Sequence, residues 1–132
     1  MKFQMDIDSV RAYCLSFPHA TEDVQWGSDL LFRISGKIFA VMNLEPPHQL
    51  AFKCMPEKFD ELIEVDGIIP APYMARNKWV RLEHPNALGD SEIKGLIESS
   101  YEMVFAKLPK KTRAELGTAK KAQNARGKPR KK

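Results

Sequence analysis

The chain has 132 residues, of which 43% are hydrophobic and 9% aromatic, and its net charge is +4 at pH 7. This length suits one domain, and the sequence contains no apolar run of about 18 residues that would span a membrane. The polar N-terminus is unlike a signal peptide, and the two cysteines lie far apart in apolar surroundings. We therefore expect a cytoplasmic monomer with reduced thiols, and a disulfide between Cys14 and Cys54 is the less favoured alternative.

The charge is divided unevenly along the chain. Residues 110–132 hold ten Lys/Arg and one acidic residue, a balance of +9, whereas residues 1–109 hold eleven basic and sixteen acidic residues, a balance of −5. No large apolar residue follows Leu116. This composition predicts a folded domain over residues 1–112 and a basic, disordered tail over residues 113–132.

The first predicted element is a helix capped by Asp6. Pro18 ends this helix. Its apolar residues recur with helical spacing, and they are Ile7, Val10, Cys14 and Phe17. A loop is predicted from residue 19 to residue 28.

A β-hairpin is predicted next, because two runs rich in β-branched and aromatic residues flank Ser35-Gly36. Gly36 is expected at positive φ, as two-residue hairpin turns require. Strand alternation places one set of side chains on the face that the helices cover, and this set is Leu30, Phe32 and Ile34. In the second strand the same alternation places side chains on two faces of the sheet. One face carries Ile38, Ala40 and Met42, and the other carries Phe39, Val41 and Asn43.

The remaining predicted elements are two strands, two helices and a loop. A third strand is predicted at residues 49–54, facing inward through either Leu50 and Phe52 or Ala51 and Lys53. A helix starts at Pro56, and a proline-stiffened extended loop covers residues 67–74. A fourth strand at residues 78–83 sets Trp79 opposite to Lys78, and a long helix capped by Asp90 ends before Pro109.

No catalytic or cofactor motif appears in the sequence. It lacks G-x-G-x-x-G, a phosphate-binding loop, H-E-x-x-H and C-x-x-C. The three histidines lie in predicted loops near prolines, so a metal site is not expected. We therefore expect a non-enzymatic protein without cofactor or metal.

Several segments in this order resemble the MmcQ/YjbR family. They are Phe17–Glu22, Trp26-Gly27, Phe32–Ala40, Phe52–Cys54, Gly67–Met74, Lys78–Val80 and Ser99–Tyr101. One position departs from the pattern, since His19 stands where glycine is expected. The resemblance implies a CyaY-like α/β (α+β) fold, with an antiparallel sheet of about five strands and helices on one face. It also implies a double-wing DNA-binding role, with the hairpin and the 76–81 strand as the wings.

Three functions remain open. The first is DNA binding, in which the tail provides most of the affinity and the phosphates are contacted by Lys37, Lys53, Arg76, Lys78, Arg81, Lys110, Lys111 and Arg113. The strand at residues 76–81 is equally typical of an edge strand protected by charge. The second function is binding of a small molecule or protein partner in a pocket near the 68–74 loop, with Trp26, Tyr73 and Trp79 as candidate residues and Lys37 or Lys53 holding an anion. The third, frataxin-like iron handling, is disfavoured because the first helix carries only Asp6 and Asp8.

Overall fold

The computed structural model describes residues 6–72, 77–84 and 87–116. Within these ranges the strands are Ala20–Gln25 (β1), Asp29–Ile34 (β2), Lys37–Asn43 (β3), Leu50–Lys53 (β4), Ile68–Pro70 (β5) and Trp79–Leu82 (β6). The helices are Ile7–Leu15 (α1), Pro56–Leu62 (α2) and Asp90–Ala106 (α3), and residues 110–116 are helical as well. All strands pair antiparallel in the order β1-β2-β3-β4-β6-β5. The predicted fold class is confirmed, with six strands instead of about five.

The helix starts follow local sequence signals in two of three cases. Asp6 caps α1, because its carboxylate accepts a hydrogen bond of 2.8 Å from the Ser9 N–H. Pro56 occupies the first turn of α2, as predicted. The prediction that Asp90 caps α3 is wrong: Gly89 is the cap residue and Asp90 is already helical, where its charge favours the positive end of the helix dipole.

The β2–β3 hairpin turns through two residues of positive φ. Ser35 has a φ of 52° and Gly36 a φ of 84°, the pattern of a tight two-residue turn whose twist matches that of its strands. The predicted positive φ at Gly36 is confirmed. On β2, Leu30, Phe32 and Ile34 all belong to the core cluster beneath the helices, so the predicted register of this strand is confirmed as well.

Replacing Gly36 by valine should destabilise the domain by about 1–3 kcal/mol, because a β-branched residue is strained at positive φ. A Cβ at Gly36 would meet no neighbouring atom, so any loss is due to backbone conformation. Gly95 is the matched control: it is exposed within α3 and its Cβ would also be free, so Gly95→Ala should stabilise by about 0.5–1 kcal/mol. Urea unfolding of both variants measures the two changes, and a stable Gly36→Val protein would contradict the assignment of strain.

A β-bulge interrupts the alternation of β3. Phe32 pairs with Ala40 whereas Arg33 pairs with Ile38, so Phe39 is the extra residue. Phe39 and Ala40 are both fully buried in the core cluster, while Ile38 packs with Val41 on the opposite face. The alternation predicted for this strand is therefore wrong for Ile38 and Phe39, which lie on the faces opposite to those predicted, because the bulge puts Phe39 and Ala40 on the same side; the positions after Phe39 follow the prediction.

A buried serine of α3 satisfies the backbone at this bulge. The Ser100 hydroxyl is fully buried, donates to the Phe39 carbonyl at 2.6 Å and accepts from the Lys53 N–H at 3.0 Å. The Phe39 carbonyl belongs to the extra residue of the bulge between β2 and β3, and Lys53 follows Phe52, the last residue of β4 that pairs with β3. Ser100 thus fastens the long helix to two neighbouring strands at one point.

Two predicted loops contain strands: residues 67–74 include β5, and residues 19–28 include β1. The predicted loop at residues 19–28 contains β1, an edge strand paired along its length with β2. His19 precedes it at a φ of 65°, and this left-handed conformation explains physically why glycine is expected there. Its Nε2 contacts the Leu116 carbonyl at 3.3 Å, which links β1 to the helical segment 110–116.

The core lies between the helices and one face of the sheet. It includes Leu50 and Phe52, which resolves the open register of β4, and Leu116 packs against its border. Helical structure therefore extends across the predicted domain boundary at residue 112, while the tail from Gly117 onward lies outside the described residues. Among the helices that the structure describes, none has the length and apolar character needed to cross a membrane.

Candidate functional site

The face of the sheet opposite the helices, called the open face, carries the candidate sites. Ala51, Ala71 and Trp79 form a small buried cluster there, with Ile38 and Val41 at its border. As predicted, Trp79 faces away from Val80, which belongs to the core under the helices. Arg81 shares the orientation of Trp79, because side chains alternate along β6.

Three lysines converge at one end of the sheet, where β3 begins, β4 ends and β6 begins. Lys37, Lys53 and Lys107 line a groove of about 460 Å³ whose other walls are Ile38, Asn77, Trp79 and Val104. Lys37 follows the hairpin turn, and Lys107 is the C-cap residue of α3. The structure thus brings two predicted cations together with Lys107, which was not predicted. We name this cavity the lysine groove.

The electrostatics of the lysine groove are unbalanced. Burial, and then the charge of Lys107, lower the pKa of Lys53 from its ordinary value. Within the described ranges no carboxylate lines the groove, and none of its lysines takes part in an ion pair. The site therefore holds several positive charges without compensation, and an anion placed there would relieve their repulsion.

The other predicted cations occupy different places. The ammonium of Lys78 lies 5.0 Å from the centre of the Phe59 ring on α2, and Arg81 lines a separate pocket. The Arg113 Nε donates to the Leu108 carbonyl at 3.0 Å, whereas Lys110 and Lys111 are exposed. Arg76 lies outside the described residues.

The placement of β6 settles one alternative left open by the sequence. This strand lies between β4 and β5, so it is not an edge strand protected by charge. Its cations also point in different directions, because Lys78 contacts the helix layer and Arg81 lies on the open face. The 76–81 segment therefore does not present its described cations on one surface.

A second pocket, of about 470 Å³, lies elsewhere on the open face and is named the Trp26 pocket. The described residues that line it are Trp26, Asp29, Val41, Asn43, Gln49, Ala51, Ala71, Pro72 and Arg81. The β1–β2 turn and the segment after β5 therefore meet at one cavity. Of the predicted pocket residues, Trp26 lines it, Trp79 lines the lysine groove instead, and Tyr73 lies outside the described residues.

Several residues of both sites carry no signal in the sequence. Lys107 near the end of a helix is a common feature, since cations favour the negative end of the helix dipole. Asp29, Asn43 and Gln49 belong to strands or their ends, and only the pairing of β2 with β3 and of Asn43 with Gln49 places them side by side. Strand pairing, which the sequence does not encode locally, is what assembles these sites.

The described cysteines are buried, and the described part of the chain holds no cluster of possible metal ligands. Cys14 and Cys54 are free and buried, and burial raises the pKa of Cys14 far above its usual range and that of Cys54 to about 12. Both are therefore thiols rather than reactive thiolates near neutral pH. Across residues 6–72, 77–84 and 87–116, no three His, Cys, Asp or Glu side chains come close enough to hold a metal ion.

Comparison with known proteins identifies one family and solved structures with a similar fold. The family model described as YjbR matches residues 15–103. A crystal structure of a Deinococcus radiodurans protein with a DUF419 domain has a TM-score of 0.80 at 24% identity, covering 88% of this chain and 91% of that one. A Pseudomonas syringae protein has a TM-score of 0.62 at 24% identity, covering 75% and 98%. No curated protein matches the chain.

Proposed function

Because this chain belongs to the YjbR family, whose resemblance implied DNA binding, we propose that it binds duplex DNA through the lysine groove and the basic segment that follows it. The groove contacts the phosphate backbone, and residues 110–132 extend the contact along the duplex. The sequence of the DNA is not read in this proposal, since lysines that neutralise phosphates carry no base information.

One observation carries the proposal: three lysines share a groove that no described carboxylate lines. Most carboxylates on this domain stand elsewhere, and two of them already pair with arginines, as Glu22 does with Arg11 and Asp23 with Arg33. The body therefore keeps an overall balance of −5 over residues 1–109 while it concentrates uncompensated positive charge at one end. A phosphate in the groove would stabilise the charged form of Lys53, whose pKa burial and Lys107 lower.

The basic C-terminal segment, residues 110–132, favours a polyanion as the ligand over a single small anion. Lys110 and Lys111 are exposed in the helical segment that begins shortly after Lys107. The sequence from residue 110 to residue 132 contains ten Lys/Arg against one acid. The basic segment thus starts beside the groove, and a long ligand with regularly spaced charges can engage both.

The test is binding to duplex DNA at a series of salt concentrations, measured by fluorescence anisotropy. Each phosphate contact contributes about −0.9 to the slope of log K against log salt. Lys37→Ala, Lys53→Ala and Lys107→Ala should each weaken the slope by about one unit. Lys58→Ala is the matched control, because Lys58 lies on α2 and pairs with Glu61 at 3.1 Å, so its removal should leave the slope unchanged.

Deletion from Gly117 onward separates the contribution of the tail. It should flatten the slope further and leave the melting temperature nearly unchanged, since no large apolar side chain is removed. Equal slopes for the three groove variants and the Lys58 control would contradict a role for the groove. Absence of DNA binding by the full chain at low salt would contradict the proposed function itself.

A further inference from the structure

The Trp26 pocket presents a large aromatic side chain that the DNA-binding proposal does not use. Trp26 is 67% exposed, although tryptophan side chains are usually mostly buried. It is held at a φ of 52° in the turn before Gly27, whose φ is 89°. The turn brings the indole to the wall of the cavity, where a ligand that covers it gains aromatic contact.

The floor of the pocket is apolar. Val41 and Ala51 are direct partners on β3 and β4, so their side chains lie side by side on the open face. Ala71 is almost fully buried next to them and adds a second small side chain. The small alanines leave a depression in the sheet surface, and the adjacent indole makes this depression suitable for a planar ring.

The charged groups of the pocket lie on strands far apart. Asp29 is on β2 and Arg81 on β6, three strand spacings away, which is about 14 Å. Asn43 donates to the Asp29 carboxylate at 3.0 Å and accepts from the Glu45 N–H at 2.9 Å, so the carboxylate is held in place. Among the described residues Arg81 has no ion-pair partner. A ligand therefore meets a hydrogen-bond acceptor from one strand and a cation from another.

We propose that the Trp26 pocket binds a planar aromatic ligand with an amino group at one end and an anionic group at the other, the chemistry of an adenine mononucleotide. The ring lies against Trp26, Val41 and Ala51. The amino group donates to Asp29, and Arg81 contacts the phosphate. The volume of about 470 Å³ lies within the range of small-ligand sites, about 300–1,000 Å³. An α-amino acid matches the pocket less well, since both of its charges are attached to one carbon.

The proposal is tested on the full chain by isothermal titration calorimetry with four probes. Adenosine 5′-monophosphate should bind, and adenosine should bind about tenfold more weakly because it lacks the charge that Arg81 contacts. Inosine 5′-monophosphate should also bind more weakly, since an oxo group replaces the amino donor. Inorganic phosphate should not compete with adenosine.

Two variants locate the site. Arg81→Gln should lower the affinity for adenosine 5′-monophosphate to that for adenosine and leave adenosine binding unchanged. Trp26→Asn should weaken both ligands, and asparagine is chosen because it tolerates the positive φ at this position. Lys58→Ala is again the neutral control, because Lys58 lies on α2 and pairs with Glu61.

Three results would overturn the proposal. The first is no heat of binding with either adenosine compound. The second is equal affinity for adenosine 5′-monophosphate in the Arg81→Gln and unchanged proteins. The third is loss of nucleotide binding in Lys53→Ala with full retention in Arg81→Gln and Trp26→Asn, which would assign the phosphate to the lysine groove. If the nucleotide proposal fails, the predicted salt dependence of DNA binding is unaffected, because Trp26 and Arg81 do not line the lysine groove.

Discussion

Phe32→Asp is expected to abolish folding of the domain. The Phe32 side chain has no exposed surface, and its ring centre lies 6.5 Å from that of Phe39 within the core cluster. Loss of a buried phenylalanine alone costs about 3–5 kcal/mol. An unpaired carboxylate in the same place adds several kcal/mol of desolvation, and the sum is comparable to the total stability of a domain, about 5–15 kcal/mol. Far-ultraviolet circular dichroism should show an unfolded chain at 25 °C.

Arg33→Ala is the control, since Arg33 is adjacent and faces the other side of β2. Its Nε donates to the Asp23 carboxylate at 2.8 Å in a partly buried contact, and its guanidinium donates to the Gly36 carbonyl at 3.0 Å in an exposed one. A surface pair of this kind is worth up to about 1 kcal/mol. The control should therefore fold and melt a few degrees lower. A folded Phe32→Asp protein with a melting temperature similar to that of the Arg33 variant would contradict the assigned faces of β2.

Ser100→Ala should destabilise the domain by about 2–6 kcal/mol, much more than the loss of one oxygen atom suggests. The substitution leaves both the Phe39 carbonyl and the Lys53 N–H without their Ser100 partner in a buried region, and each unsatisfied group costs about 1–3 kcal/mol. Chemical denaturation with an unchanged m-value would measure this loss.

Ser99→Ala is the matched control on the same helix. Ser99 is half-buried beside Ser100 and alanine has the higher helix propensity, so the control should change stability by less than about 0.5 kcal/mol. Equal effects at the two serines would mean that general helix propensity, rather than the bulge contacts, decides the outcome.

Local patterns predicted the elements that have strong periodicity or turn chemistry. The β2–β3 hairpin, the inward set Leu30, Phe32 and Ile34, and the cap at Asp6 follow from residues close in sequence, and the structure confirms them. The edge strand β1 was missed because its outward positions are polar and its residues alternate weakly. The bulge at Phe39 was missed because alternation assumes equal numbers of residues on both strands.

The candidate sites could be predicted only in part. Lys37, Lys53 and Trp26 were singled out from the sequence, and the structure places two of them in the lysine groove and the third at the other pocket. Their neighbours Lys107 and Gln49 come from distant parts of the chain. The 78–81 segment shows the limit most clearly, since Lys78 and Arg81 appear as one basic stretch but contact opposite layers of the fold.

The serine contacts at the bulge also bear on how the two layers assemble. A one-residue slip of β3 along β2 would carry the Phe39 carbonyl about 3.3 Å away from α3, beyond hydrogen-bond reach of Ser100. Only one alignment of the hairpin is therefore compatible with the docked helix, and only the docked helix completes that alignment. We therefore expect selection of strand register and docking of the longest helix to be energetically coupled, because the Ser100 contacts form only when both are in place.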